Sequence, residues 1–457
     1  MEKNLFLIVM MMWSCAVLLS QETWVKTFGG SESDVGNSIT TTPDGGVVIT
    51  GITNSNDGDV EGMNKGEGDI FVNKLDSRGN ILWTRVIGGS GSDVGTSITT
   101  TPDGGFVLTG WTESNNGDFN GLNKGDGNIF VIKLDTRGNV QWKKLLGGSY
   151  WDSGNSITST PDDGFVLTGR LQSNDGDFKG MNTGTGNIFV IKLDSHGDVQ
   201  WKKVYGGSGN DEGYSITTTP DGGFILTGSL ESNDGDFRGM KWNWSDIFVI
   251  KLDLRGDVQW KRVFGGSEID ESGSITATPD GGFVLTGMNR YAEWLDATGK
   301  RTSYYGDFKG MTIDRGDIFV IKLDSRGDVT WKKLFGGSAN EMGVFITATT
   351  DSGFVLTGYT ESNDGDFKGM AVENGGIFLI KIDSHGDVVW KNTFGGSHWD
   401  MGRSITTTPD GGFVLTGSTE SDNSDFKGMN KGSRDIFVIK VDSNGNLQSK
   451  GKKSKKK

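Results

Sequence analysis

Pairs of carboxylates on either side of a glycine recur along the chain, and oxygen ligands of this kind could bind calcium. The stretch ESNDGDFKGM occupies residues 361–370, and close copies begin at residues 113, 172 and 231. An EF-hand loop needs glycine at its sixth position and glutamate at its twelfth. If Gly365 is the sixth residue, the twelfth is Ala371. The pattern therefore favours an Asx-rich turn without metal or other cofactor, and calcium held by Asp364 and Asp366 in another geometry is the alternative.

A second acidic position follows each Gly-Gly-Ser of the chain, in the pattern GGSxxD. Its members are Asp34, Asp93, Asp152, Asp211, Asp270, Glu341 and Asp400. A catalytic group is not needed seven times. A carboxylate that accepts hydrogen bonds from backbone N–H groups is needed once in each connecting segment. We therefore predict a structural role for these seven residues.

Residue patterns typical of catalysis are missing from the sequence. The three histidines are His196, His385 and His398, and the first two stand in tight-turn sequences. The only cysteine is Cys15, and there is no G-x-S-x-G motif and no histidine cluster suited to a transition metal. Pairs of carboxylates are plentiful, so a glycosidase or lyase is kept as an alternative to a non-catalytic protein.

The elements that must position these residues form a repeat. Seven tryptophans, each followed closely by Gly-Gly-Ser, stand 59 residues apart, except for a spacing of 71 in the fifth unit, which has an insertion. Each unit contains four strand signals, SITTT, GFVLTG, IFVIKLD and VQWKKLF or close variants, with tight turns PDGG and SRGD and one long polar loop. The nearly continuous apolar run of IFVIKL indicates a strand that is buried on both faces.

Seven four-stranded units that are buried on both faces predict an all-β fold, a seven-bladed β-propeller. The fourth strand occurs as six internal copies plus WVKTF at residues 24–28. The C-terminal candidate NLQSK lacks the tryptophan, so the N-terminal strand is predicted to complete the last blade and pair with residues 435–442. We expect a signal peptide at 1–20, the propeller at 21–449 and a basic disordered tail at 450–457.

The motifs GGS-x-x-D-x-G-x-S-I, TG-x-T-x-S-N-D and DIFVIKLD-x-x-G resemble the seven-bladed β-propeller repeat of the SBBP family of secreted bacterial proteins. The resemblance covers essentially the whole chain after residue 20. It implies the propeller fold and a surface or extracellular location, and it implies no activity. The insertion in the fifth unit and the lysine tail depart from the family pattern.

In such a propeller the long loops and the links between blades lie on one face of the disc. Six tryptophans fall on this face or at its edge: Trp111, Trp151, Trp242, Trp244, Trp294 and Trp399. Aromatic residues at loops that differ between copies suit a recognition surface, and the alternative is that the loops bury these rings. The candidate ligand-binding residues lie in the fourth and fifth units: Trp242, Trp244, Arg290, Tyr291, Trp294, Tyr304 and Tyr305.

Charge and targeting signals restrict the partners. The chain has a formal charge of −14, although six lysines stand among the last eight residues. An acidic body disfavours nucleic acid as partner. The apolar run within residues 1–20 has the form of a secretory signal, with no later segment that could span a membrane. We therefore expect a monomeric secreted, periplasmic or cell-surface protein that binds protein or carbohydrate. The alternatives are a polysaccharide hydrolase or lyase and a purely structural surface protein.

Overall fold

The computed structural model describes residues 21–240, 244–266, 269–290, 306–308, 316–370 and 374–447, and for residues 290, 306 and 344 the backbone alone. The predicted signal peptide and tail lie outside these ranges. Within them the chain forms seven four-stranded antiparallel sheets, which are the blades of a β-propeller. No helix in these ranges has the length and apolar character needed to cross a membrane.

The strands follow one another blade by blade from the axis outward. Blade 1 has β2 (Asp34–Thr41), β3 (Val47–Thr53), β4 (Asp69–Leu75) and β5 (Ile81–Ile87). Blade 2 has β6 (Asp93–Thr100), β7 (Phe106–Thr112), β8 (Asn128–Leu134) and β9 (Val140–Leu146). Blade 3 has β10 (Asp152–Ser159), β11 (Phe165–Leu171), β12 (Asn187–Leu193) and β13 (Val199–Tyr205). Blade 4 has β14 (Asp211–Thr218), β15 (Phe224–Leu230), β16 (Asp246–Leu252) and β17 (Val258–Phe264).

The remaining blades repeat this order. Blade 5 has β18 (Ile269–Ala277), β19 (Phe283–Arg290), β20 (Asp317–Leu323) and β21 (Val329–Phe335). Blade 6 has β22 (Glu341–Ala348), β23 (Phe354–Thr360), β24 (Gly376–Ile382) and β25 (Val388–Phe394). Blade 7 has β26 (Asp400–Thr407), β27 (Phe413–Thr419), β28 (Asp435–Val441) and the N-terminal β1 (Trp24–Phe28). Each long loop contains one 3₁₀ turn, at Gly58–Val60, Gly117–Phe119, Gly176–Phe178, Gly235–Phe237, Gly306–Phe308, Gly365–Phe367 and Ser424–Phe426.

The hydrophobic core lies between neighbouring blades. The third strands are buried along their whole length, as the apolar run IFVIKL predicts. Between blades 3 and 4, for example, Ile188 and Val190 of one sheet join Phe224, Leu226 and Phe248 of the next in one cluster. Each blade therefore depends on its neighbours for the burial of its apolar faces.

The repeated tryptophan ties each outer strand to the next blade. The Trp83 ring packs edge-on against Phe106 of blade 2 at 5.8 Å between ring centroids. Its Nε1 donates a hydrogen bond to the carbonyl oxygen of Thr136 at 3.2 Å. The same ring touches Gly138, whose φ of 77° and lack of a side chain admit both the turn and the indole. The spacing of the tryptophans thus reflects one contact made at every blade boundary.

The predicted closure of the ring is confirmed. β1 pairs antiparallel with β28, with Trp24 opposite Lys440 and Phe28 opposite Ile436. Phe28 is buried, and Trp24 and Val25 pack partly buried against the apolar clusters on the two sides of the last blade. Because β1 comes from the N-terminus, hydrogen bonds and side-chain packing hold the two ends of the chain together.

Deletion of residues 21–30 is expected to lower the thermal unfolding midpoint by more than about 10 °C, since it exposes the edge of β28 and removes the apolar contacts of β1. The measurement is calorimetry of the chain from residue 21 onward. Deletion of the tail 450–457 is the control and should leave the midpoint unchanged. Equal midpoints for the two deletions would contradict a stabilising role for this strand.

Candidate functional site

The seven acidic residues of the GGSxxD pattern lie in the interior, at the start of each inner strand. Asp34 is fully buried, and its Oδ2 accepts hydrogen bonds from the Gly30 N–H at 3.0 Å and the Ser55 hydroxyl at 2.7 Å. Its Oδ1 accepts from Thr53 Oγ1 at 2.5 Å. Glu341, the glutamate of the set, accepts from Gly337 N–H at 3.1 Å and Thr360 Oγ1 at 2.9 Å. These contacts hold the link between blades against the long loop of the same unit.

The NDGD loops engage the same links. Asp364 Oδ1 accepts from the Ser338 N–H at 2.8 Å, and Asp366 Oδ2 accepts from the Gly336 N–H at 3.1 Å. Gly365 between them has a φ of 54°, a left-handed conformation that favours glycine. Both carboxylates of the stretch therefore bind backbone donors. In the ranges that the structure describes, no three His, Cys, Asp or Glu side chains are grouped as a metal site.

A further buried position, the residue that opens each third strand, differs between blades. In blade 2 it is Asn128, whose Nδ2 donates to the carbonyl oxygens of Gly127 at 2.9 Å and Gly148 at 3.1 Å. In blade 1 it is Asp69, whose Oδ1 is buried without a hydrogen-bond partner. Burial raises the pKa of Asp69 to about 6, and the nearby carboxylate of Asp93 also raises it. Asp435 of blade 7 has the same unpartnered oxygen, and burial raises its pKa to about 6 as well.

Of the predicted ligand-binding residues, the structure describes one side chain, that of Trp244. Its surface is 76% exposed, and it stands at the rim of a cavity of about 310 Å³ between blades 4 and 5. Tyr214, Ser229 and Ile269 are among the other residues that line this cavity. The Arg290 backbone ends β19, and its side chain lies outside the described part of the chain. The remaining residues also lie outside it: Trp242, Tyr291, Trp294, Tyr304 and Tyr305.

The other aromatic residues of the long-loop face divide into two groups. Trp111 packs on Trp151 at 4.5 Å between ring centroids, and Tyr359 packs on Trp399 at 5.6 Å, each pair bridging neighbouring blades. Tyr150, in contrast, is 61% exposed. The two packed pairs therefore contribute to contacts between blades, whereas the rings of Trp244 and Tyr150 are exposed to solvent.

Sequence reasoning missed a polar group at the long-loop end of the axis, formed by blades 3 and 4. Asn155 Nδ2 donates to Glu212 Oε1 at 2.8 Å, and Ser229 Oγ donates to Tyr214 Oη at 3.1 Å. Burial raises the pKa of the Glu212 carboxyl, while the Arg170 guanidinium opposes this effect. The sequence signal was present: residues 211–214 read DEGY where the first unit has DVGN.

An ion pair between neighbouring blades on the long-loop face is present in some units and missing from others. Lys65 of blade 1 bridges to Asp118 of blade 2 at 2.6 Å, and Lys124 of blade 2 bridges to Asp177 of blade 3 at 2.7 Å. The lysine position is occupied by Thr183 in the third unit and by Trp242 in the fourth. This inter-blade ion pair therefore stops where the exposed Trp244 and the fifth-unit insertion begin.

An axial channel with a volume of about 560 Å³ runs between the inner strands. Each inner strand has a bulge near its start, as the register shift between Gly36 and Ser38 shows for blade 1. The bulged residue differs from blade to blade. The long-loop end of the disc thus combines the channel mouth, the polar group of blades 3 and 4, and the cavity beside Trp244.

Over most of its length the chain is similar to two named proteins. No protein-family model matches the chain. It is 22% identical over 469 residues to an uncharacterized WD repeat-containing protein of Acanthamoeba polyphaga mimivirus, a match that covers 80% of this chain and 34% of that protein. It is 25% identical over 378 residues to the regulatory protein FlaEY of Caulobacter vibrioides, covering 78% of this chain and 37% of the relative. The chain thus spans about a third of the length of each relative.

Among solved structures, BamB from Moraxella catarrhalis aligns with a TM-score of 0.41 at 12% identity, over 92% of this chain and 99% of that one. Sqt1 from Chaetomium thermophilum aligns with a TM-score of 0.43 at 12% identity, over 94% and 87% of the two chains. From its own strands and their order, the chain is a seven-bladed β-propeller built from sequence repeats.

Replacement of Asp69 by Asn is expected to raise the free energy of unfolding at pH 7.5 by about 1–2 kcal/mol, because the amide of Asn128 at the same position of blade 2 donates to two carbonyl oxygens, whereas one oxygen of Asp69 has no partner. The pKa of Asp69 is about 6 in the folded state against an ordinary value of 3.8. The folded state therefore holds more protons between these pH values, and the stability of the natural protein falls as pH rises through this window. The increase in the free energy of unfolding that Asp69→Asn produces should therefore be smaller at pH 4 than at pH 7.5.

Denaturant unfolding at pH 4 and pH 7.5 measures this difference. The matched control is Asn128→Asp, which places the same carboxyl in blade 2 and should destabilise the protein at pH 7.5 more than at pH 4. A gain for Asp69→Asn that is the same at both pH values would contradict the proposed titration.

Proposed function

We propose that the protein is a secreted or cell-surface member of the SBBP-like β-propellers and acts as a non-catalytic binding scaffold for protein or carbohydrate. One observation supports this proposal above the others. The acidic residues that repeat in every unit are buried in the links between blades, whereas Trp244 and Tyr150, aromatic residues that differ between units, are exposed at the long-loop end of the disc. A surface that varies on a constant framework is typical of recognition.

The contact surface is centred on blades 4 and 5. Trp244 offers an almost fully exposed indole beside a concave surface, and exposed tryptophan is among the side chains that contribute most to binding. In sequence it is flanked by Trp242 and followed by the fifth-unit insertion with Tyr291, Trp294 and Arg290. Flat rings suit both apolar protein surfaces and the faces of sugars.

Other features support the location and the partner class. The signal-like segment at residues 1–20 and the resemblance to secreted repeat proteins support export. One relative bears the name of a regulatory protein and another that of a WD repeat-containing protein, and both names fit a scaffold better than an enzyme. We propose a monomer without cofactor, and backbone donors already engage the loop carboxylates that could have held calcium.

A polysaccharide hydrolase or lyase is the second candidate, favoured by one specific observation. Glu212 and Glu271 occupy the same position on the inner strands of neighbouring blades, and the negative charge of Glu271 contributes to the raised pKa of Glu212. Burial raises the pKa of Glu212, which is the change that a general acid needs. Asn155 donates a hydrogen bond to this carboxyl and the positive charge of Arg170 favours its ionised form, so a structural role explains the same geometry.

Replacement of Trp244 by Ala is expected to weaken binding of any ligand of this face by at least roughly tenfold, with no change in thermal midpoint, since the exposed ring supports no core contact. Ligands are first identified by screening the chain from residue 21 onward against glycan and protein arrays, with and without calcium. Calcium should make no difference to the result.

The matched control is Leu254→Ser, because Leu254 is 60% exposed in a third-to-fourth turn on the opposite face. This variant should bind as the natural protein does. Loss of binding in Leu254→Ser with retention in Trp244→Ala would move the contact surface to the tight-turn face.

The enzyme alternative is tested by incubating the protein with the polysaccharides of the array and measuring new reducing ends and unsaturated products. The scaffold proposal expects none above background. If products form, Glu212→Gln should abolish them and Glu113→Gln should not, because Glu113 lies in a long loop and accepts from Ser92 N–H. That result would establish the second candidate in place of the first.

A further inference from the structure

The bulged residues of the inner strands form a ring around the axial channel, and in three blades they close the gap to the next blade. Asn37 Nδ2 donates to the Gly95 carbonyl oxygen at 2.9 Å, and Thr96 Oγ1 donates to that of Gly154 at 2.7 Å. Asn155 Nδ2 makes the same contact with Gly213 at 2.9 Å. A short polar side chain at this position is therefore part of the framework.

Blade 7 places Arg403 at this position. Its Nε is buried and has no hydrogen-bond partner in the structure. Burial lowers the pKa of the guanidinium, and the positive charge of Arg434 lowers it further. A buried N–H group that has lost water and gained no hydrogen-bond partner costs free energy. Asn or Thr at this position can make the hydrogen bond to the next blade, so the presence of Arg403 needs another explanation.

The neighbouring arginine is already engaged. Arg434 pairs with Glu420 at 2.5 Å, and its guanidinium lies over the Trp399 ring at 4.6 Å from the centroid. Arg434 therefore provides no negative charge for Arg403, and the Arg403 guanidinium stays available to a ligand.

The rest of the channel wall indicates what kind of anion fits. Of the described residues that line it, Arg403 and Glu271 are the charged ones, and most of the others are serine, threonine and isoleucine. Ser272 is 6% exposed, and its Oγ has no hydrogen-bond partner. A volume of about 560 Å³ lies in the range of small-molecule sites. Hydroxyl and amide groups around a single guanidinium suit a ligand that combines one carboxylate with hydroxyl groups.

We propose that the axial channel binds a small carboxylate ligand, either free or as the acidic sugar of a glycan, whose carboxylate pairs with Arg403. Glu271 lies two blades away from Arg403, so electrostatic repulsion directs the carboxylate toward blade 7. Arg403 of blade 7 lies away from Trp244 of blade 4, although the channel and the cavity beside Trp244 share Tyr214 and Glu271 as lining residues. The proposal does not require that the surface around Trp244 binds a partner.

The test compares the natural chain from residue 21 onward with Arg403→Asn by calorimetric titration with sodium glucuronate, glucose, sodium acetate and sodium phosphate. The natural protein should bind glucuronate or acetate with a dissociation constant below about 10 mM, and Arg403→Asn should bind at least roughly tenfold more weakly. Since Asn is the residue of blades 1 and 3, the variant should also have a higher thermal midpoint without ligand. Leu254→Ser, in an exposed turn on the opposite face of the disc, is the control and should bind as the natural protein does.

The ligand series distinguishes the sources. Glucuronate bound at least roughly tenfold more tightly than acetate indicates an acidic sugar, and equal affinities indicate a simple carboxylic acid. No binding of either carboxylate, equal binding by Arg403→Asn, or a preference for glucose or phosphate would overturn the proposal. If Arg403→Asn does not fold, Arg403→Lys replaces it: weakened binding that falls with added salt supports the ion pair, and unchanged affinity overturns it. The Trp244→Ala variant should bind these ligands normally, which separates this result from the scaffold test.

Discussion

The hydrogen bond from a backbone N–H to a buried carboxylate is the interaction on which the whole ring depends. In the link that enters blade 1, Asp59, Asp34 and Asp57 accept from the N–H groups of Gly29, Gly30 and Ser31 in turn. The link cannot join a strand ladder, yet it lies partly buried between blades, so its donors need acceptors. Of these three acceptors Asp34 is fully buried, and a charge-assisted bond is stronger there than a bond between neutral groups. The requirement recurs in every unit, which explains why so much of the acidity of the chain is internal.

The same carboxylates decide where glycine must stand. A Cβ on Gly29 would lie 2.4 Å from oxygens of both Asp34 and Asp435, and one on Gly30 would lie 2.1 Å from Asp57. The Gly-Gly pair is therefore the consequence of drawing acidic side chains against a backbone. The NDGD loops resemble calcium sites for this physical reason, since carboxylates that converge on backbone donors have the composition of carboxylates that converge on a metal.

The sequence repeats made the fold predictable, but they made the candidate site residues difficult to recognise. The tryptophan spacing, the doubly buried third strand and the displaced fourth strand each have one structural reading, so the propeller and its closure by β1 followed from sequence alone. Arg170, Glu212 and Arg403 were not found, because they appear as single departures within a repeat and their significance depends on which side chains they face. Asp69 and Asn128 look interchangeable in sequence. The structure shows that the buried amide of Asn128 donates to carbonyl oxygens, whereas Oδ1 of the buried Asp69 carboxylate has no partner.

Departures of this kind also occur in the blade where the ring is closed without a covalent link. Blade 7 contains the five-residue β1, the unpartnered oxygen of Asp435 and the unpartnered Nε of Arg403. The missing covalent connection to β1 distinguishes it from the other blades, and the two unpartnered groups lower its local free energy of unfolding further, so opening of the ring should begin there. A ligand anion at Arg403 would remove one of these costs and would stabilise the closed ring by mass action. The blade that is weakest without ligand is therefore the one through which binding in the channel would strengthen the whole disc.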